Sequence, residues 1–249
     1  MSNPVVLITG ALTGIGRATA LAFARNGARV VVSGRHEDAG RALAAELRGA
    51  GAEAAEFVRA DVRNEDEVRQ LIDGTVARFG RLDVAVNNAG TEGQPGSLLE
   101  QTAENYSTVF DTNVLGTLLS LKHELRVMEA QGSGAIVNLS SIVGHKALPG
   151  APLYVASKHA VEGLTRAAAL EAAAFGVRVN AVAPGPIETG MLDRFAGSAE
   201  AKTGLLASVP LKRAGSPEEI AQAIVYAASD AAAFITGHIL AVDGGMTVQ

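Results

Sequence analysis

At 249 residues and 48% hydrophobic, the chain is long enough for one large domain with a well-buried core, and a net charge of −5 gives no support for nucleic-acid binding. It has no cysteine, which excludes disulfides, thiol nucleophiles and thiolate metal ligands, and its five histidines lack ligand spacing, so no metal is expected. The first residues, MSNPVVLITG, lack the basic lead of a signal peptide, and no apolar run is long enough to span a bilayer, so a soluble, cytoplasmic protein is expected, without a membrane partner.

Short apolar runs rich in β-branched residues alternate with helical patterns along the chain. PVVLIT (4–9) reads as a strand, GRATALAFARNG (16–27) as a helix and ARVVVS (28–33) as a second strand. A helix over 37–51, a strand over 54–60, a helix over 65–80 and a strand over 82–87 continue the alternation. A long helix over 103–130 precedes a strand at 134–140, and a helix over 153–175 precedes another at 177–182. Ser216, Pro217 and two glutamates mark the start of a helix over 217–229: a cap, a first-turn proline and acids at the positive end of the dipole. A seventh strand follows at 238–242. The alternation predicts a doubly wound α/β fold around a parallel sheet, in a single domain over 1–249. The stretch 183–216 shows no clear periodicity, and its segment near 186–216 is expected to act as a substrate loop.

Such sheets bind ligands beyond the C-terminal ends of their strands. Here those ends carry Thr9-Gly10, Gly34-Arg35, Asp61, NNAG at 87–90, Ser140-Ser141 and Pro184-Gly185. In TGALTGIG, Gly10 permits a tight turn, Gly14 lets backbone approach a pyrophosphate, and Gly16 allows close packing at the helix start, whose free N–H groups suit phosphate. This motif, with NNAG, resembles the single-domain short-chain dehydrogenase/reductases. The resemblance implies a Rossmann-like doubly wound three-layer sandwich with a seven-stranded parallel sheet. It also implies a nicotinamide cofactor contacted by Gly10, Thr13, Gly14, Ile15, Gly16, Asn88, Ala89 and Gly90. Asp61-Val62 resembles the family's adenine-binding pair. Gly34 stands where NAD-using relatives usually carry aspartate, and Arg35 can pair with a 2′-phosphate, so NADP(H) is favoured, with NAD(H) still open. Thr13 occupies a position where many NADP-using relatives have a second basic residue.

Tyr154 and Lys158, in LYVASKHA, are spaced to share one helix face. A free phenol has a pKa of about 10, and a nearby ammonium together with an oxidised nicotinamide can favour its ionised form; lowering it by ~3 units takes ~4 kcal/mol. In family terms Tyr154 resembles the general acid/base and Lys158 the residue that lowers its pKa and holds the nicotinamide ribose. Ser141, thirteen residues before Tyr154, resembles the residue that polarises the substrate oxygen, with Ser140 the weaker candidate. Asn113, in DTNVLG, resembles the asparagine that anchors a relay water. VNAVAPGPIET at 179–189 resembles the family's Pro184-Gly185 turn, where the Ile187 backbone and Thr189 hydroxyl hold the carboxamide. ITGHILAVDGG at 235–245 resembles the family's closing strand and turn, so the likeness spans the chain. The lysine follows the tyrosine by four residues rather than eight, unlike the divergent enoyl reductases.

The implied function is hydride transfer between nicotinamide and a small-molecule secondary alcohol or ketone. The alternatives are 3-oxoacyl-carrier-protein reduction and a non-catalytic cofactor sensor. Gly132 and Phe175 stand where carrier-protein reductases often carry arginine. Glu92, Gln94, His145, Met191, Leu192 and Phe195 are expected near the substrate; the first and third suit a hydroxylated molecule, the last three an apolar one. The helices over 103–130 and 153–175 are apolar over much of their circumference, and the family resemblance implies pairing through them into a homotetramer.

Overall fold

The computed structural model describes residues 3–249. Seven strands, β1 (Val5–Thr9), β2 (Arg29–Gly34), β3 (Ala54–Arg59), β4 (Val84–Asn87), β5 (Gly134–Leu139), β6 (Val177–Pro184) and β7 (Ile239–Val242), form one parallel sheet in the order β3-β2-β1-β4-β5-β6-β7. The order reverses direction between β1 and β4, which register from Val6 opposite Val84 to Thr9 opposite Asn87.

Alternation along each inner strand serves both faces. Val6, Ile8, Val30 and Val32 enter one core with α1 (Gly14–Arg25), α2 (Glu37–Gly49) and α9 (Pro217–Ala228). Leu7, Val31, Ala85 and Ile136 enter the other core with α3 (Glu65–Phe79), α5 (Gly116–Gln131) and α6 (Pro152–Ala172). Burial on both sides is why these strands read as continuous apolar runs, and each large side chain fully removed from water contributes ~1.5–3 kcal/mol. The result is the expected three-layer sandwich. Among the described residues no helix is long and apolar enough to cross a membrane.

Two expectations need correction. The helix over 103–130 is α4 (Ala103–Phe110) and α5 joined by a wider π-helical turn, Asp111–Leu115. The extra residue in that turn carries no hydrophobic signature, so periodicity reads straight through it. The aperiodic stretch also contains two helices, α7 (Gly190–Ala196) and α8 (Ala199–Ser208). No residue of α8 is buried, which leaves no apolar stripe to read. This excursion is pinned at its base: Glu188 donates its N–H to Gly215 O at 2.9 Å, and Gly215 donates to Pro186 O at 2.9 Å.

Candidate active site

The chain turns sharply after β1, with Gly10 at φ +63° and Gly14 at φ +52°. Thr13 occupies the N-cap of α1 but its side chain makes no capping bond, and the N–H groups of Gly14, Ile15 and Gly16 find no acceptor among the described residues. They form an open helix N-terminus, which favours an anion. Gly16 is required by the neighbouring strand exit: a Cβ there would lie 2.4 Å from Asn88 Nδ2 and 2.5 Å from Gly10 O. That Asn88 amide donates to Thr9 O at 3.1 Å and Gly10 O at 2.8 Å, tying the β4 exit to the β1 exit where the strand order reverses.

After β2, Leu12 fills the space beside Gly34, so that a Cβ at position 34 would meet its Cγ at 2.8 Å. Arg35 is exposed and among the described residues makes no hydrogen bond or ion pair, although its charge reaches Asp61. Arg63 grips the Asp61 carboxylate through Nε at 2.9 Å and its terminal nitrogen at 2.6 Å, holding that acid below the usual carboxylate range. Val62 is buried against Gly116 at the start of α5.

At the other side of the sheet the π turn presents Asn113 inward. Its amide exchanges two bonds of 2.8 Å with the Thr91 backbone and donates to Ser157 Oγ at 3.0 Å. Lys158 is buried, donates from Nζ to Leu139 O at 2.7 Å, and sits 5.6 Å from the Tyr154 ring centroid. Ser141 hydrogen-bonds the Tyr154 phenol. Ser140 instead donates to the buried Glu162 at 3.0 Å, so the two adjacent serines serve different partners.

Burial pushes the Tyr154 phenol up to about 12, against the Ser141 hydrogen bond and with added repulsion from Glu92. Burial also pulls Lys158 down to about 8. Burial therefore sets the direction of both shifts in this structure.

These groups face a cavity of about 420 Å³, lined also by Ile15, Asn88, Gly90, Pro184, Gly185, Ile187 and Thr189. Ser141, Tyr154 and Lys158 share it, whereas Thr13, Arg35, Asp61 and Val62 lie outside its lining, and Asn113 acts on it through Thr91. The Thr189 hydroxyl donates to Ile187 O at 3.2 Å. Met191, Leu192, Phe195 and Glu92 line the cavity as expected. Gln94 and His145 do not: the Gln94 backbone is held by Asn105, and the His145 ring turns to Glu162 at 3.0 Å. Glu92 is paired with Arg194 of α7, Nε to Oε1 at 2.7 Å, so it is not a free seat for substrate hydroxyls. Lys146 and Arg194 lie in stretches expected near the pocket, 142–150 and the loop after 189, but neither was singled out, and Ser157 was not read at all. Ser157 lies one position before Lys158, and its place within LYVASKHA is the signal that pointed nearest to it.

Comparison with known proteins places this arrangement among relatives. The sequence profile of the family described as Enoyl-(Acyl carrier protein) reductase matches residues 10–247. The chain is 46% identical over 243 residues, 98% of this chain and 96% of the relative, to cis-4-hydroxycyclohexanecarboxylate dehydrogenase of Sinomonas cyclohexanicum. It is 45% identical over 250 residues, 100% of this chain and 98% of the relative, to a 3-oxoacyl-[acyl-carrier-protein] reductase of Synechocystis sp.. The solved structure of ElxO with NADP bound superposes with a TM-score of 0.93 at 38% identity, covering 99% of this chain and 100% of that one.

Proposed function

The chain belongs to the short-chain dehydrogenase/reductase family, and from that premise we propose that it is an NADP(H)-preferring oxidoreductase interconverting a secondary alcohol and a ketone. The observation that carries this reading is the meeting of Ser141, Tyr154 and a buried Lys158 on one small cavity, beside the uncapped start of α1. The residues fit a nicotinamide dinucleotide: free N–H groups await phosphate, and Lys158, with one acceptor at Leu139, keeps two N–H donors for ribose hydroxyls. NADPH, when bound, supplies the hydride for the carbonyl carbon, and NADP⁺ accepts it in the reverse direction.

Tyr154 delivers its hydroxyl proton to the carbonyl oxygen. A phenol pushed up to about 12 is protonated at neutral pH, the form that reduction needs. Ser141 donates to the same oxygen, and Lys158 stabilises the phenolate left behind. Asn113 holds the Thr91 turn beside Lys158 and is expected to anchor the water that returns the proton. Ile187 and Thr189 receive the carboxamide, Asp61 and Val62 border the adenine, and Pro184 and Gly185 shape the turn between. Arg35, free of other partners, is the group for the 2′-phosphate. The bound NADP of the ElxO structure supports that preference in a relative.

Tyr154→Phe should lower kcat by at least ~10³-fold while leaving the NADPH dissociation constant within about two-fold, since general acid catalysis contributes ~10²–10⁴-fold and Ser141 is left as a hydrogen-bond donor without the acid. Retained turnover removes Tyr154 from the role. The ratio of kcat/KM for NADPH over NADH should exceed one and fall ~10-fold or more in Arg35→Ala, consistent with loss of a charge-assisted phosphate contact.

The cyclohexane substrate of the Sinomonas relative and the apolar Met191, Leu192 and Phe195 favour a compact alicyclic substrate here. Reduction of a carrier-bound 3-oxoacyl group is the second reading, favoured by the Synechocystis relative. Against it stand Gly132 and Phe175, at positions where such enzymes carry docking arginines. We further propose a homotetramer assembled through α5 and α6.

A further inference from the structure

Besides Tyr154, the cavity wall holds three charged side chains: Glu92, Lys146 and Lys158. Glu92 is already neutralised by Arg194, and Lys158 is engaged by Leu139 O and by the proposed chemistry. Lys146 resembles Lys158 in making one bond to a backbone carbonyl, Nζ to Met246 O at 2.6 Å, and among the described residues no carboxylate pairs with it; unlike Lys158, it has no part in the proposed chemistry. A lysine ammonium has three donors, so two N–H groups and an uncompensated charge remain at the wall. Around it the lining is apolar, from Ile142, Ala147, Leu148, Leu205 and Met246. A wall of low polarity strengthens a charge-assisted contact relative to bulk solvent. The tether matters as well. Residue 146 is bonded across 100 positions of sequence to the C-terminal turn, and it is part-buried, so less side-chain freedom remains to be lost on binding.

We infer that Lys146 is an anion seat, and that the cavity takes a substrate with an apolar body and a carboxylate that sits on Lys146 while its carbonyl lies at Ser141 and Tyr154. This rests on the oxidoreductase reading above, whose substrate class it narrows. The cavity of about 420 Å³ is shared with the proposed nicotinamide seat, whose residues Ile15, Gly90, Ile187 and Thr189 line it too, so the space left beside Lys146, Ser141 and Tyr154 suits a compact molecule. The competing role for Lys146 is a purely structural tie between the turn after β5 and the C-terminal turn.

Two measurements separate these roles. Calorimetric titration of the protein in saturating NADP⁺ compares cyclohexanecarboxylate with cyclohexanecarboxamide, which share a ring and differ in charge. The carboxylate should bind at least ~10-fold more tightly. Lys146→Met should erase that difference while leaving the carboxamide affinity unchanged, and Lys146→Arg should restore most of it. Equal or unmeasurable binding of the two ligands to the native protein overturns the seat, as does a Lys146→Met variant that weakens both alike. Turnover of 4-oxocyclohexanecarboxylate and 4-methylcyclohexanone is followed in parallel, and the carboxylate should have the lower KM. If neither ketone is reduced but the carboxylate preference persists, the oxidoreductase reading fails and the anion seat stands.

Discussion

Glu124 is wholly buried on α5 and bound on one side only, accepting from Asn87 Nδ2 at 2.9 Å. Its Oε1 and the Asn87 Oδ1 are both without a hydrogen-bond donor, two acceptors that a single carboxylic proton would join. Burial pushes this acid up to about 7, against the Asn87 bond. Because the folded pKa lies above the unfolded one, the stability gained is complete below about pH 4.5 and is lost as pH rises through about 7. Glu124→Gln supplies the missing donor permanently. Relative to the native protein it should be nearly neutral at pH 4 and stabilising by about 2–4 kcal/mol at pH 8, measured by urea unfolding at both values. A shift of equal size at both pH values would mean that Glu124 is not the titrating group. At this scale the meeting of Ser141, Tyr154 and Lys158 on one cavity was anticipated by the family resemblance, the four-residue spacing alone being too common to mark it. What spacing could not reveal is solvation: burial of both groups sets Tyr154 and Lys158 moving in opposite directions.

At the level of elements, the excursion between β6 and α9 is held over the cavity by ion pairs. Arg194 of α7 reaches Glu92 in the turn after β4, and Lys202 of α8 pairs with both Glu188 and Asp193. Glu92 is buried while Arg194 is largely exposed, so cutting the pair at the arginine frees the helix but strands an acid beside Tyr154. Arg194→Met should therefore speed amide hydrogen exchange across residues 190–208 and raise the substrate KM several-fold, more than it lowers kcat. Unchanged exchange in that segment would show that the pair does not hold the lid. The two lid helices were illegible in apolar periodicity, because α8 buries nothing. Their terminal chemistry was present all the same: Ser198 caps α8 by accepting from Ala201 N at 3.1 Å, and Gly197 ends α7 at φ +72°. The start of α9 was read from the same kind of signal, and there Ser216 and Glu219 form the reciprocal capping box.

For the whole molecule, the outer faces of α5 and α6 leave a shallow groove bordered by Leu118, Leu125, Leu164 and Phe175, of which Leu118 and Phe175 are substantially exposed. Light scattering at micromolar concentration should give the mass of four chains. Leu118→Glu should reduce it without loss of the monomer fold, because position 118 is 45% exposed in the isolated chain. A monomeric native protein would remove the proposed assembly.

Two kinds of information meet in this chain. The sequence by itself determined the alternation of seven strands with helices, the glycine turn after β1 and the order of polar residues at the strand exits. It could do so because burial on both faces leaves continuous apolar runs, and close backbone approach leaves glycine. The tertiary structure alone decided which charges are spent and which are left over. Arg194 meets Glu92 across 102 residues, Lys146 meets Met246 across 100, and Glu124 meets Asn87 across 37. Long polar side chains can reach many partners, and only packing of distant segments selects among them; that selection leaves Lys146 without a carboxylate partner at the cavity wall.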